Sequence, residues 1–274
     1  MVADLGATLS AISRRALSVL LVLGLAGPFA APAAAAGGGN RWRQPAEFEP
    51  QLGTMIDYRL FVPVQLVVEL AEEDLLVTIV NDAVEERAAR RLYAASGVDL
   101  ANCTFLRAPN ESHWTRDYGP WFAFDRKGRA EVVDFVYEWP NAPGDDGIPG
   151  VYAQDQGLGS QFLDLVTAGG NYMTDGQGTA MGTGEWLLFN NPGKTPAQID
   201  ALLEQALGIE RHHYLSDPDM YWFHIDCFAK YLDPDTILVA EVAPDHSKYH
   251  QLEWTVDYLE RQISCWGTPY EVVR

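Results

Sequence analysis

Between Thr54 and Val273, short β-rich runs alternate with amphipathic helical stripes, and the alternation returns about every sixty residues. That rhythm narrows the fold more than any other feature, because it calls for an α/β architecture with helices covering sheets. Thr54–Arg59 and Leu76–Val80 read as strands flanking a helical pattern at Val64–Glu73. Glu85–Ala95 reads as a helix ending near Gly97, and Cys103–Leu106, Val132–Tyr137, Trp186–Phe189 and Ile237–Val242 read as strands. The strongest helix is Pro196–Leu207. Thr195 and Gln198 form a capping box, Pro196 takes the first helical position, and Gly208 closes the end. Its stripe is Ile199, Leu202, Leu203, Ala206 and Leu207. Leu252, Val256, Leu259 and Ile263 stripe another helix, and Tyr270–Val273 is a last strand. No segment repeats letter for letter, so a repeat architecture rests on spacing alone. The chain stops at Arg274 directly after that strand pattern, and such an open edge leads us to expect a polypeptide cut short of its natural fold.

The first 36 residues stand apart. Arg14 and Arg15 precede an apolar run, Leu17–Ala26, then Pro28 and the small residues Ala33–Ala36. A basic start, a short apolar stretch and an Ala-x-Ala end describe a secretory signal peptide. The run is shorter than the roughly 20 residues a membrane span needs. The paired arginines suggest the twin-arginine route, so the protein is expected to be exported, periplasmic or secreted. Gly37–Gly39 open a flexible leader to residue 44, and the folded domain is expected over 45–274.

The whole chain has 38 acidic against 19 basic side chains, a net charge of −19; residues 37–274 alone carry −20. With 47% hydrophobic residues, 8 Trp and 12 Tyr, it is not a disordered acidic tail. The charge argues against a nucleic-acid partner, since phosphates call for a basic face; an acidic field favours cationic ligands. Three cysteines, Cys103, Cys227 and Cys265, are too few for a disulfide scaffold and cannot all pair within the chain.

Three segments concentrate chemistry. In Trp114–Trp121, aromatic side chains surround Arg116 and Asp117, and Gly119-Pro120 forces a turn. Aromatic walls around a carboxylate make a slot in which a planar guanidinium can stack and be gripped in a bidentate fork; the alternative is a hairpin corner with an Arg116–Asp117 surface pair. In Tyr221–Cys227, an extended backbone would project His224 and Asp226 from one face, as an acid/base with an orienting carboxylate or as two metal ligands. The third segment, Ala168–Gly176, has glycines that allow close backbone approach to a ligand, but it is no phosphate loop. Asp145-Asp146 reads as a turn rather than a cation site. His212, His213, Asp217 and Asp219 match no zinc spacing.

Together these segments are more specific than any one of them. PAEFEP, WTRDYGPWF, VDFVY with WP and DD behind it, GGNYMTDG and HIDCFAKYL occur in an order that resembles the bacterial peptidyl-arginine deiminase family, which also contains the agmatine deiminases; the match runs from about Pro45 to the C-terminus. The resemblance implies a pentein α/β propeller of five ββαβ units, with the last unit apparently missing here. It also implies hydrolysis of a guanidinium to a ureido group and ammonia, without cofactor or metal. Asp117 and Asp226 would grip the guanidinium nitrogens, and His224 would protonate departing ammonia and then activate water. Trp114, Tyr221 and Asn171 would contact the substrate.

The family's nucleophile, a Cys near the C-terminus in an Asn- and Gly-rich segment, has no counterpart, and Cys103, Cys227 and Cys265 read as packing thiols. Truncation is the expected reason, and a non-catalytic guanidinium-binding relative is the alternative. The arginines that would hold a substrate carboxylate are absent from Glu138–Gly144. Glu138 and the acidic surface suit the cationic end of agmatine, while GGNYM resembles the peptidyl-arginine branch, so the substrate stays open between arginine residues and agmatine.

Overall fold

Three stretches of the chain build the same small motif: two antiparallel strands, one or two helices, and a return strand that pairs in parallel. A computed structural model of the protein describes residues 41–218 and 223–274, which fall in one compact unit. The first copy of the motif is Trp121–Asp125 against Ala130–Tyr137, the helix Ile148–Gln156, and Gly159–Thr167 in parallel with Ala130–Tyr137. The second is Met173–Thr174 against Thr179–Thr183, the helices Gly184–Asn190 and Pro196–Leu207, and Arg211–Leu215. The third is Ala229–Tyr231 against Thr236–Val239, the helix Tyr249–Glu260, and Glu271–Val273. Starts at Trp121, Met173 and Ala229 account for the periodic alternation in the sequence.

The N-terminal sheet departs from the motif. Gly53–Asp57, Leu75–Val80 and Cys103–Arg107 are all parallel and are joined by the helices Val64–Glu73 and Ala83–Ser96. Leu76, Ile79 and Val80 are completely buried, as a doubly covered parallel strand requires. The helix Pro196–Leu207 has the expected capping box, and Gly208 is left-handed at φ 78°. Its Ile199, Leu203, Ala206 and Leu207 pack into a core with Trp121, Phe135, Leu163 and Tyr172.

Two sequence expectations are corrected. Trp186–Phe189 is helical, within Gly184–Asn190; a four-residue apolar run has no period with which to tell helix from strand. The segment around His224 is not extended: Phe223 is left-handed and Ile225–Cys227 form a 3-10 turn. The export signal, residues 1–36, and Tyr221 lie outside the described residues.

Candidate active site

Four loops that follow the carboxyl ends of strands meet at one place, the usual position of a ligand site in parallel sheets. They follow Cys103–Arg107, Ala130–Tyr137, Gly159–Thr167 and Arg211–Leu215, and they deliver Asp117, Glu138, Gly170, and the pair His224 and Asp226.

The first loop is held from below. Arg59 pairs with Asp57 at 2.7 Å and donates to the carbonyls of Glu111 and Ser112 at 2.7 and 3.0 Å. Asp145, fully buried, accepts from the backbone N–H groups of Glu111 and Ser112 at 2.8 and 3.2 Å. Asp145-Asp146 therefore close a short helix and anchor a loop, in keeping with a structural reading of that pair. The anchored loop leads into the single turn Thr115–Tyr118, where the Asp117 N–H donates to the Trp114 carbonyl at 2.9 Å. Arg116 pairs with Glu47 at 3.1 Å, not with Asp117. Trp114 is about half exposed and packs on His113, 4.5 Å between ring centroids.

Gly170 marks the centre. Its N–H donates to Asp117 Oδ1 at 3.2 Å. A Cβ added to it would lie 2.5 Å from Asp117 Oδ1, 2.6 Å from His224 Nδ1 and 2.9 Å from Asp226 Oδ2. Three polar groups from two loops thus crowd the glycine of a third so closely that no side chain fits there. His224 Nδ1 is 3.4 Å from Asp117 Oδ1, and its Nε2 is 2.8 Å from Glu138 Oε1. Burial works against charge on this imidazole, but the hydrogen bonds to Asp117 and Glu138 outweigh it and lift the pKa to about 10. Asp226 is open to solvent on one side, yet the surrounding walls desolvate its carboxyl and raise its pKa, with Asp117 adding to the rise and His224 opposing it.

Glu138 is the residue that sequence reasoning placed wrongly. It was expected at the cationic end of a substrate; instead its side chain is only 3% exposed, with Oε1 on His224 and Oε2 accepting from Trp186 Nε1 at 2.7 Å. The available signal was its position directly after the apolar strand Ala130–Tyr137, where a buried carboxylate needs a partner. Asn171 has its side chain engaged within the protein. It is 2% exposed, and its side chain is spent on Thr183: Oδ1 accepts from the Thr183 N–H at 2.8 Å, and Nδ2 donates to the Thr183 carbonyl at 3.3 Å. It shapes the glycine loop instead of facing a ligand.

Residues 43–274 match the Porphyromonas-type peptidyl-arginine deiminase family. The chain belongs to that family. As a member of the deiminase family it is 28% identical over 204 residues to the agmatine deiminase of Pseudomonas savastanoi pv. phaseolicola, covering 68% of this chain and 55% of that protein. It is 27% identical over 198 residues to the agmatine deiminase of Pseudomonas fluorescens strain SBW25, covering 65% and 53%. The chain spans about half the length of these curated relatives. Its fold is that of solved deiminases. The agmatine deiminase of Enterococcus faecalis, described as catalysing its reaction, superposes with a TM-score of 0.73 at 22% identity, over 88% of this chain and 73% of that one. The C. jejuni agmatine deiminase with substrate bound, a Cys-to-Ser variant, gives 0.72 at 19%, over 87% and 75%.

The three cysteines of this deiminase-family chain lie in environments that disfavour a thiolate. Cys103 is buried, which raises its pKa, and its Sγ points at the Asp99 carbonyl. Desolvation pushes Cys265 up to about 11. Cys227 is pushed up to about 12, first by desolvation and then by Asp226, whose Oδ1 lies 3.7 Å from its sulfur. Among the described residues no cluster of three or more His, Cys, Asp or Glu is arranged to hold a metal ion. His212 and His213 are neighbours on a strand, so they point to opposite faces and do not share a ligand.

Proposed function

We propose that this chain carries the guanidinium-gripping and acid/base half of a guanidine deiminase. The observation that carries the reading is the convergence of Asp117, His224 and Asp226 on the single point beside Gly170. Two carboxyls and an imidazole drawn together beside Gly170 suit a planar cation with several N–H donors. Because His224 is charged at neutral pH, it is ready to act as a general acid.

In the reaction that the family resemblance implies, a thiolate sulfur bonds to the guanidinium carbon and a C–N bond breaks. The departing nitrogen leaves as ammonia with the proton from His224. His224 then takes a proton from water as the water oxygen attacks the same carbon; the C–S bond breaks and a ureido group remains. The product is citrulline from an arginine residue or N-carbamoylputrescine from agmatine. The thiolate is the one component that Cys103, Cys227 and Cys265 do not supply in their observed environments. The curated agmatine deiminases among the relatives and the substrate-bound C. jejuni structure favour agmatine as the first ligand to try. The loss of Glu138 as a contact for a cationic tail removes one argument for it. Export through the signal peptide belongs to the same reading and is checked by N-terminal sequencing of the mature protein.

Calorimetric titration with agmatine and with an arginine-terminated peptide, together with an ammonia-release assay, tests the proposal. Binding of either ligand supports it, and binding of neither sinks it. The thiol environments favour a second reading, a guanidinium-binding relative without turnover; binding with no ammonia release would select it.

A further inference from the structure

We infer that Thr183 is a positioning residue, which aims His224 by holding Phe223 in a left-handed backbone conformation; this rests on His224 being the acid/base of the site proposed above. Phe223 has φ 61°, a region that bulky residues avoid unless their surroundings enforce it. Three contacts enforce it here. The Phe223 N–H donates to Asp217 Oδ2 at 3.0 Å, its carbonyl accepts from the Thr183 hydroxyl, and its ring stacks on Trp186 with an interplanar angle of 15°.

Two of these contacts lead back to the histidine. Trp186 donates to Glu138, and the other oxygen of Glu138 meets His224 Nε2. Thr183, completely buried, also meets Asn171 three times, through its N–H, its carbonyl and its hydroxyl. The hydroxyl lies 2.9 Å from Asn171 Oδ1 and so shares its one proton between Asn171 and the Phe223 carbonyl. Asn171 is next to the Gly170 whose N–H reaches Asp117. One residue therefore braces both loops that flank the imidazole, the glycine loop on the Nδ1 side and the Phe223–Trp186 stack on the Nε2 side. His224 can meet Asp117 and Glu138 together only from the backbone direction that Phe223 sets. If Phe223 relaxes to negative φ, the next peptide turns and both contacts cannot be kept. The atoms nearest the point beside Gly170 belong to Asp117, His224 and Asp226, so Thr183 and Phe223 act through His224 and not on a ligand.

The test compares the full chain with Thr183→Val, which keeps the shape and removes the hydroxyl, and Thr183→Ser, which keeps the hydroxyl. The His224 ring is titrated by nitrogen-edited NMR, with heat-denaturation midpoints and agmatine affinity measured alongside. Thr183→Val is expected to lower the His224 midpoint by about one pH unit or more and to weaken agmatine binding about tenfold. Thr183→Ser is expected to restore both. A His224 titration in Thr183→Val that matches the unmodified chain overturns the inference, whatever the melting point does, and so does equal damage in Val and Ser. If Thr183→Val does not fold, Thr183→Ala is titrated and judged by the same outcomes. Failure of the unmodified chain to bind agmatine would overturn the proposed function while leaving the titration comparison intact.

Discussion

The molecule holds two sets of buried histidines, and they differ in charge for reasons that can be read off their neighbours. His212 and His213, on the strand Arg211–Leu215, are packed among rings: His212 lies 4.4 Å from Tyr214, and His213 meets Tyr258 and Tyr270 edge-on. Burial pushes His212 down to about 3, with His213 adding to the drop, and burial pushes His213 down to about 4, helped by Arg211. Asp200, 3.9 Å from His212, is beyond hydrogen-bond range, and its Oδ1 accepts from the Tyr214 hydroxyl at 2.7 Å. His224 is buried too, yet it lies between Asp117 and Glu138 and is lifted to about 10. Burial does not distinguish the two sets. A carboxylate at each ring nitrogen does, and that arrangement separates a site from a core.

The largest expected effect comes from filling the point on which the His224 side converges. Gly170→Ala leaves Asp117, His224 and Asp226 in the chain but places a methyl group within 3 Å of all three. Agmatine or arginine-peptide binding should fall below detection by calorimetry while far-ultraviolet circular dichroism is retained. Undiminished affinity would place the ligand elsewhere. Asp117→Ala comes next. Removing one arm of a charge-assisted pair should weaken binding about a hundredfold and let the His224 midpoint fall, because Asp117 is one of the two groups holding it up.

Much of this was legible in the sequence and some was not. The capping box at Thr195 and Gln198, the strand at Leu76–Val80 and the WTRDYGP and HID segments are local signals, carried by residues within a turn of one another. Asp117, His224 and Asp226 could be named from these because they sit in two dense motifs, Asp117 in the first and the other two in the second. The partners of Glu138 and Asn171 were not legible because they lie elsewhere along the chain: His224 and Trp186 for Glu138, Thr183 for Asn171. The left-handed Phe223 was hidden for the same reason. No rule of alternation anticipates a backbone angle that is imposed by a side chain forty residues earlier.

The two histidine sets should also tilt stability in opposite directions with pH. His212 and His213 have folded pKa values below the ordinary 6.5, so the unfolded chain binds more protons in acid. Their contribution is whole above about 6.5 and is lost as the pH falls toward 3 to 4. For His224 the folded value is raised, so its contribution is whole below about 6.5 and is lost as the pH rises through about 10. Denaturation midpoints across this range should therefore peak near neutrality, each limb amounting to a few kcal/mol at most. His224→Gln should flatten the alkaline limb alone, and a His213→Phe variant should ease the acid limb alone. If both substitutions changed the same limb, the opposite charge states assigned to the two sets would be wrong.

The smallest effect concerns Asp226, which acts on two neighbours at once. Its negative charge favours the protonated form of any nearby group, so it helps to keep a proton on Cys227 just as it favours one on His224. The largest single cause of the rise at Cys227 is desolvation, which an Asp226→Asn substitution leaves in place. The substitution should therefore lower the thiol pKa only in part and speed alkylation by iodoacetamide at pH 8 by about three- to tenfold, since the thiolate is the reacting form. Cys265, raised first by desolvation and then by Asp175 and Asp235, serves as the internal control. Faster alkylation at Cys227 alone would show the carboxylate suppressing a thiolate beside the site. An unchanged rate at both would mean that desolvation by itself keeps Cys227 protonated, and that Asp226 directs its charge only toward His224 and the ligand.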